Sequence, residues 1–286
     1  MTLDHQFTRQ EILDRLHASI REGRPIIGAG CSAGIVAKAA ELGGADFIVV
    51  YSTGRSRIMG LPTTQIGHSN TVTLEMFDEI ENVVNNTPIV VGIEAQDPTC
   101  LSLPRLIKRF RDKGFSGLIN FPGLGPQLET RGTMREDVGL GFSREPEMIR
   151  LAREQDWFTT AYAYNTEAAR RLAAAGVDVQ IAHAGWTTGG LAGRSLEGAP
   201  SLDEAAEHVQ KIIDVTKQEN PDCICLAHGG PYDVPENVEV LYRQTDAVGF
   251  VGASSIERIP IERAVRDAVA AFKSAPMPRV KTATPA

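Results

Sequence analysis

Cysteine is scarce in this sequence of 286 residues: there are only four, at positions 31, 100, 223 and 225. Four cysteines in a chain of this length do not form the disulfide framework of a small secreted domain. Cys223 and Cys225 lie two residues apart in an apolar run, with no second pair or histidine at the spacing of a zinc finger. The cysteine content therefore predicts a reduced, cytoplasmic protein.

The sequence also lacks an excess of basic residues and any apolar run of membrane length. Lys and Arg number 29 against 36 Asp and Glu, giving a formal net charge of -7, whereas nucleic-acid binding requires a basic face. No run reaches the ~18 consecutive apolar residues of a membrane span. The N-terminal segment MTLDHQFTRQ has no apolar core of a signal peptide. We therefore expect neither nucleic acid nor a membrane as a partner.

The sequence does contain a regular alternation of short apolar runs and helical patterns. The runs are RPIIGAG, ADFIVVYSTG, PIVVGIEAQDP, FSGLINFPG, WFTTAYAYN, VDVQIAHAG, CICLAHGGP and DAVGFVGASS. Between them, apolar residues recur at spacings of three and four, as in amphipathic helices. Strict alternation of strands and helices implies right-handed crossovers and a parallel sheet. Eight such units in about 250 residues are typical of a closed barrel.

We therefore predict an α/β fold, a single (β/α)8 TIM barrel with an extra N-terminal helix. The predicted division of the chain is a helical extension over residues 1–24, the barrel over residues 25–274, and a flexible, proline-containing tail over residues 275–286.

A glycine-rich stretch, PIIGAGCSAG, ends the first predicted strand and resembles a phosphate loop. Its glycines are Gly28, Gly30 and Gly34, a GxGxxxG pattern rather than the dinucleotide-binding GxGxxG. The second strand ends in VVYSTGR, without the carboxylate that would bind a ribose. No nucleotide is expected.

Polar side chains just past the strand ends are the candidate functional groups, because the strand ends of a barrel converge on one mouth. His183 and His228 close the sixth and seventh strands, and an imidazole there can act as acid or base; the alternative is a histidine that bonds a backbone carbonyl. Glu94 is a third catalytic candidate. Glu94 and Asp97 together could bind Mg²⁺ through oxygen ligands, although Asp97, which precedes a proline, could simply shape a turn.

The other strand-end residues are candidates for binding a small anionic substrate. Backbone amides from Gly252 to Ser255, before a helix predicted near Pro260, can hold an anion. Arg55 and Arg258 are the available counter-charges; alternatively, Arg258 pairs with Glu257. The predicted substrate-binding residues are Arg55, Asn120, Tyr164, Gly229, Gly230, Gly252, Ser254 and Ser255.

Several segments, namely INFPG, TTAYAYN, AHAGWTTGG, LAHGGP and GFVGASSIERIPIE, resemble the phosphoenolpyruvate hydrolase-like family of TIM barrels. The resemblance covers the chain from Thr8 to Lys273. It implies kinship with barrels that act on 2-oxo acids through a magnesium-bound enolate, and it implies a homo-oligomer. The acidic cluster of those barrels is not found here, since the second strand ends without a carboxylate and the fourth ends in Asn120.

The expected function is that of a hydrolase or lyase acting on a small anionic 2-oxo acid or enol, similar to phosphoenolpyruvate or phosphonopyruvate, by enolate chemistry. A Schiff-base aldolase would need a lysine at a strand end, and none of the eight ends supplies one. The alternative is a barrel that binds a ligand or protein without catalysis, as a sensor or interaction domain.

Overall fold

The eight apolar runs form the eight strands of one closed parallel sheet, in the order β1 to β8. A computed structural model describes residues 6–125, 132–193, 195 and 197–277 of the protein. The strands are β1 (Ile26–Gly30), β2 (Phe47–Val50), β3 (Ile89–Gly92), β4 (Gly117–Ile119), β5 (Phe158–Ala163), β6 (Val179–His183), β7 (Ile224–His228) and β8 (Gly249–Gly252). β1 pairs in parallel with both β2 and β8, which closes the barrel. The predicted (β/α)8 fold is confirmed.

Helices connect all successive strands, and one further helix precedes them. They are α1 (Arg9–Arg21), α2 (Gly34–Leu42), α3 (Thr53–Ile58), α4 (Ser69–Glu81), α5 (Leu103–Lys113), α6 (Gly132–Asp137), α7 (Arg144–Glu154), α8 (Thr166–Ala174), α9 (Leu202–Glu219), α10 (Pro235–Gln244) and α11 (Arg258–Ser274). Within the described ranges, no helix has both the length and the apolar character needed to cross a membrane. Of the predicted tail, residues 278–286 lie outside the described residues.

The alternation of side chains along each strand divides the core into two layers. In β2, Phe47 and Val49 belong to the cluster inside the barrel, whereas Ile48 and Val50 belong to the layer between strands and helices. A strand buried on both faces requires this continuous apolar sequence. The same alternation brings residues at the C-terminal strand ends onto the barrel axis.

Helix α1 closes the N-terminal end of the barrel. Thr8 caps it with a reciprocal capping box to Glu11, which satisfies two of the free amide groups at the helix start. Ile12 and Leu16 are fully buried and join the interior cluster. Since the bottom is filled by these side chains, the space for a ligand lies at the C-terminal mouth.

The ring of helices around the barrel has a gap. α2 packs on α4, and α7, α8, α9 and α10 pack in succession. α11 turns away from the barrel: every described residue from Pro260 onward is exposed, except the half-buried Glu262. The ring is therefore open between α10 and α2.

Candidate functional site

A cavity of about 220 Å³ lies in the mouth of the barrel. Its walls come from the ends of β2, β4, β6, β7 and β8 and from the loops that follow them. The lining residues are Tyr51, Thr53, Arg57, Pro62, Thr63, Phe121, His183, Trp186, Thr187, Ala192, Gly193, His228, Ala253, Ser254 and Arg258. This volume is below the ~300–1,000 Å³ of pockets for drug-sized molecules, so the cavity suits a ligand of a few heavy atoms.

His183 and His228 are neighbours in the sheet and side by side in the cavity wall. They are paired in the register of β6 and β7, and their ring centroids are 4.7 Å apart. His228 Nδ1 lies 2.6 Å from the carbonyl oxygen of Val251, so this nitrogen carries the proton and Nε2 keeps its lone pair. His183 Nδ1 accepts a hydrogen bond from the amide of Gly185 at 3.1 Å, so its proton is on Nε2.

Both imidazoles are neutral near pH 7. Burial, together with the positive charge of the nearby Arg57, lowers the pKa of His228 to about 4. Burial also lowers the pKa of His183 well below its usual value, with a contribution from His228. One neutral ring thus offers a lone pair and the other offers an N–H, which are the groups required of a base and a hydrogen-bond donor.

Aromatic rings hold the two histidines in place. Tyr164 stacks on His183 with centroids 4.1 Å apart and an interplanar angle of 24°. Tyr162 contacts both histidine rings at 5.2 and 4.9 Å. Tyr164 is not among the residues that line the cavity; it supports the wall from behind His183. Burial raises the pKa of Tyr162 and of Tyr164 well above the usual value, so both phenols stay neutral.

A buried ion pair, Arg57 with Glu257, crosses one side of the mouth. Arg57 Nε donates to Glu257 Oε2 at 2.8 Å. Glu257 also accepts from the amide of Ser32 at 2.6 Å and from its hydroxyl at 2.8 Å. The carboxylate is completely buried and the guanidinium lies 5.4 Å from the centroid of Tyr51. The pair fixes Arg57 at the cavity surface.

Arg258 is the second cation of the cavity and has an unused donor. Its terminal nitrogens donate to Glu262 Oε1 at 3.0 Å and to the carbonyl oxygen of Gly189 at 3.1 Å. Its Nε atom is buried and has no hydrogen-bond partner among the described residues, and the same holds for the hydroxyl of Thr53. Buried polar atoms in proteins are nearly always paired. Arg57, Arg258 and Thr53 therefore line a cavity whose described lining includes no carboxylate.

The predicted anion loop after β8 reaches the cavity only in part. Ser254 and Ala253 line it. Ser255 instead lines a groove beside α10, and a Cβ at Gly252 would meet Ile256 at 2.6 Å. α11 begins at Arg258 with Glu257 as its N-terminal cap residue, slightly before the predicted start. Glu257 pairs with Arg57, so the alternative pairing with Arg258 is wrong.

Arg55 and the glycines after β7 do not line the cavity. Arg55 is on α3, two residues before Arg57, and is half-buried. Gly229 and Gly230 have φ angles of 78° and 60°, and a Cβ at Gly229 would lie 2.2 Å from the carbonyl oxygen of Gly185. These glycines allow the loops after β6 and β7 to pack together. Their part in substrate binding remains a prediction that the geometry does not support.

The side chain of Asn120 connects two strands by hydrogen bonds rather than binding a ligand. Its amide nitrogen donates to Glu145 at 2.6 Å and to the carbonyl oxygen of Tyr162, and its oxygen accepts from the amide of Tyr162 at 2.7 Å. Glu145 also accepts from Gln96 and from the amide of Leu124. Burial raises the pKa of Glu145 to about 7. This buried carboxyl, which the sequence did not single out, anchors the loop after β4.

Glu94 and Asp97 lie outside the cavity lining, and their surroundings do not fit Mg²⁺. Asp97 is fully buried and accepts from Asn70 at 2.9 Å and from the amide and hydroxyl of Thr99 at 2.8 and 2.6 Å. Burial alone would raise its pKa, but these hydrogen bonds lower it to about 2. These contacts fit the alternative role of Asp97, which is to shape the turn after β3. Burial raises the pKa of Glu94.

Across the described ranges, no group of three or more His, Cys, Asp or Glu residues could hold a metal ion. Mg²⁺ prefers several oxygen ligands in near-octahedral geometry. The described residues do not assemble such a set, and the predicted magnesium site is not supported by their arrangement.

Several lining residues were missed by sequence reasoning, among them Arg57, Trp186 and Thr187. Arg57 belongs to a six-residue helix inside what the sequence predicted as a loop. Trp186 and Thr187 belong to the connection between β6 and α9, which contributes much of one wall. The segment AHAGWTTGG could have indicated Trp186 and Thr187. A tryptophan in a glycine-rich loop after a strand does not belong to the apolar face of a helix or strand, so a place in the cavity wall is a reasonable expectation.

These features define a (β/α)8-barrel protein with a cation-lined, histidine-containing mouth. Residues 11–275 match the family described as phosphoenolpyruvate hydrolase-like, and the chain belongs to this family. It is 40% identical over 271 residues to the ToMV susceptible protein tm-1(GCR26) of Solanum lycopersicum, with 93% of this chain and 36% of that protein covered. The chain thus spans about a third of that relative's length.

Two solved structures share the fold. A phosphonopyruvate hydrolase in complex with oxalate and Mg²⁺ superposes with a TM-score of 0.57 at 19% identity, covering 98% of this chain and 92% of that chain. An oxaloacetate acetylhydrolase superposes with a TM-score of 0.61 at 15% identity, covering 98% and 93%. At these identities the likeness concerns the fold alone.

The buried ion pair generates a stability prediction. The isosteric substitution Glu257→Gln leaves the guanidinium of Arg57 buried without its counter-charge, so we expect it to lower the free energy of unfolding by about 3–5 kcal/mol. Urea denaturation followed by circular dichroism measures the loss. The control, Asp112→Asn, breaks the exposed pair with Lys108 and should cost far less. Equal losses for the two variants would contradict the assigned role of Glu257.

Proposed function

We propose that this barrel is a hydrolase or lyase that acts on a small anionic 2-oxo acid or enol, of the phosphoenolpyruvate or phosphonopyruvate kind, through an enolate formed in the mouth. The observation that carries the proposal is the joint placement of an imidazole lone pair, an imidazole N–H and two arginine side chains around one small cavity. The family and the names of the structural neighbours agree with a hydrolase or lyase.

Arg57, Arg258 and Thr53 are the groups that would bind the substrate's anionic end. A carboxylate or phosphonate would accept hydrogen bonds from the side chains of Arg57, Arg258 and Thr53, all of which line the cavity. Hydrogen bonds to charged groups contribute more than neutral ones, and this cavity is buried among aromatic side chains. An uncharged analogue would leave these donors unpaired and would bind more weakly.

His228 and His183 would then perform the proton transfer. His228 Nε2 accepts a proton from the carbon beside the carbonyl, or from a hydroxyl on a carbon–carbon bond that breaks. The electron pair so released moves onto the carbonyl oxygen, which becomes an enolate oxygen. His183 Nε2–H donates a hydrogen bond to that oxygen as its charge develops. When the proton comes from the hydroxyl, the carbon that bore it leaves as a carbonyl compound, and the proton passes from His228 to the enolate carbon to give the shortened 2-oxo acid. When the proton comes from carbon, its return regenerates the substrate, which is the exchange measured below.

The proposed steps use only groups of this chain. The phosphonopyruvate hydrolase structure is named for its oxalate and Mg²⁺, but the described residues here do not supply an oxygen-rich set for that ion. No step is therefore assigned to a metal. Arg57 and Arg258 supply the positive charge that the anion needs.

Enolate formation can be measured without knowing the natural substrate. In D₂O, the protein should catalyse exchange of the protons beside the carbonyl in at least one of a panel of 2-oxo acids, observed as loss of their ¹H NMR signal. His228→Gln removes the base and should slow exchange by about 10²–10⁴-fold, the usual contribution of a general base. His17→Gln, on the exposed face of α1 at the opposite end of the barrel, is the matched control and should exchange at the wild-type rate.

The same assay separates catalysis from binding alone. The relative in tomato is named for susceptibility to a virus rather than for a reaction, which favours a ligand-binding or protein-binding barrel as the second candidate. Binding of 2-oxo acids without exchange would support that candidate. Exchange that is as fast in His228→Gln as in the wild type would remove His228 from the mechanism.

The low pKa of His228 sets the pH dependence of the exchange. The base is active only when neutral, and its pKa in the free protein is about 4. We therefore expect kcat/KM for exchange to be level from about pH 8 to pH 5 and to fall about tenfold per pH unit below pH 4. Circular dichroism at each pH verifies that the fold persists. A fall centred on the ordinary histidine value of ~6.5 would contradict the assigned environment.

A further inference from the structure

The cavity in the barrel mouth has a charged inner wall and an uncharged entrance. The inner wall is formed by buried side chains that include both arginines and both histidines of the proposed reaction. The entrance is formed by lining residues that are exposed or half-buried, namely Pro62, Thr63, Trp186, Thr187, Ala192 and Gly193. The loop after α3 supplies the first two of these residues, and the loop after β6 supplies the other four.

Trp186 is the largest side chain of the entrance. The sequence has two tryptophans, and the other one, Trp157, is a core residue whose indole nitrogen donates to the carbonyl oxygen of Phe115 at 3.1 Å. Trp186 instead lines the cavity and is 48% exposed. Apolar surface left in water is unfavourable, and an aromatic ring offers a large area for contact. The ring therefore offers a contact surface for a ligand that extends out of the cavity.

Backbone hydrogen bonds attach the loop that carries Trp186 to the reactive part of the cavity. The amide of Gly185 donates to Nδ1 of His183 at 3.1 Å. The carbonyl oxygen of Gly185 accepts from the amide of Gly230 at 2.8 Å, and the amide of Thr188 donates to the carbonyl oxygen of Gly230 at 3.1 Å. Because Trp186 lies between these two anchored residues, the backbone fixes its position relative to His183.

The other edge of the entrance is attached to Ser56, the buried residue next to Arg57. The amide of Leu61 donates to the carbonyl oxygen of Ser56 at 3.0 Å, and the amide of Thr64 donates to the hydroxyl group of Ser56 at 3.0 Å. The intervening residues 62–63 line the cavity. Both edges are thereby fixed beside groups of the proposed reaction, and a pre-formed contact of this kind binds without a further cost of ordering.

Apolar surface continues outside the cavity on both loops. Leu61, which precedes Pro62, is 40% exposed, and Leu191, which precedes Ala192, is 81% exposed. Single exposed apolar residues are ordinary in proteins. Apolar side chains on both loops that border one cavity, together with Trp186, instead indicate a contact surface that is continuous with the cavity.

The charges of the described lining lie at the inner end. Arg57 and Arg258 are buried there and can serve the carboxylate of a 2-oxo acid. None of the six entrance residues carries a charge for a second anionic group. A charged group at the far end of the substrate would therefore lose hydration without gaining a partner from them, whereas an apolar group would cover the ring of Trp186.

We propose that the substrate of this site is a 2-oxo acid with an uncharged, apolar substituent beyond its carbonyl group, and that Trp186 selects this substituent by packing on it. The inference rests on the proposed function, which places the carboxylate at the arginines and the carbonyl group at the histidines. With these groups bound at the inner wall of a cavity of about 220 Å³, the rest of the molecule extends to the entrance.

For a substrate with a hydroxyl group on C4, the reaction is a retro-aldol cleavage. The hydroxyl proton passes to His228 Nε2, the C4 oxygen forms a new carbonyl group, and the electron pair of the C3–C4 bond becomes the double bond of the enolate. The π electron pair of the C2 carbonyl group moves onto its oxygen, which accepts from His183. The proton then passes from His228 to C3 to give pyruvate, and the apolar group leaves on an aldehyde or ketone.

The affinity for 2-oxo acids of increasing length tests this selection. Isothermal titration calorimetry gives Kd for pyruvate, 2-oxobutanoate, 2-oxopentanoate and 2-oxohexanoate. Burial of one CH2 group corresponds to about a fourfold change in Kd, so we expect Kd to fall about fourfold for each carbon that reaches the entrance. In addition, 5-methyl-2-oxohexanoate should bind at least about tenfold more tightly than 2-oxoglutarate, which has the same shape but a second carboxylate.

Variants of the entrance assign the effect to one side chain. Trp186→Ala should remove the dependence of Kd on chain length, whereas Trp186→Phe, which keeps an aromatic ring, should retain most of it. Leu42→Ala is the control, because Leu42 on α2 is 80% exposed and lies outside the cavity lining, and it should show the wild-type dependence. Thermal unfolding followed by circular dichroism verifies that each variant is folded.

Proton exchange in D₂O, measured on the same acids, separates this inference from the proposed function. Exchange with a Kd that does not depend on chain length, or a dependence that persists in Trp186→Ala, would overturn the role of Trp186 and leave the reaction intact. A chain-length dependence without exchange in any acid would support the apolar contact and overturn the enolate reaction. Tighter binding of 2-oxoglutarate than of 5-methyl-2-oxohexanoate would contradict an uncharged substituent.

Discussion

The buried ion pair between Arg57 and Glu257 is the contact on which the mouth of this barrel depends. It joins three segments that are distant in sequence: the turn after β1 through Ser32, the short helix α3 after β2, and the start of α11 after β8. Removing two charges from water is costly, and the cost is offset here by close geometry and by the two hydrogen bonds from Ser32. The pair places a cation at the cavity and sets the direction of α11.

The backbone around the two histidines determines what each can do. A carbonyl group of the neighbouring strand accepts a hydrogen bond from Nδ1–H of His228, and an amide in the loop after β6 donates one to Nδ1 of His183. The two neighbouring histidines thereby acquire opposite hydrogen-bonding roles: Nε2 of His228 is an acceptor, and Nε2–H of His183 is a donor. The aromatic rings around them exclude water and keep both neutral.

Periodicity and strand count were sufficient to predict the barrel, because each strand is an unbroken apolar run. The rule that strand ends converge correctly placed His183, His228 and Ser254 on the cavity wall. The rule does not give the direction of side chains in the loops beyond. Arg55 was the candidate from the sequence, but Arg57, two residues further along α3, is the arginine that lines the cavity.

The other differences between the sequence-based predictions and the structure also have local causes. The position of Asp97 after β3 suggested a metal ligand. In the structure its carboxylate oxygens accept hydrogen bonds from Thr99 and from Asn70, which is distant in sequence. Gly229 and Gly230 follow a strand as binding glycines do, yet their positive φ serves the packing of one loop on another. The departure of α11 could not be read from its amphipathic pattern, because a helix that packs on its own barrel has the same pattern.

The central claim is that Arg57 and Arg258 in the mouth bind a small anion without help from a metal. The most direct measurement is the melting temperature with oxalate, recorded in EDTA and again with Mg²⁺. A ligand that binds the folded state raises its stability, so we predict a rise with oxalate in EDTA that is lost in Arg57→Met relative to that variant's own melting temperature. A rise that requires Mg²⁺, or no rise in either solution, would contradict the account.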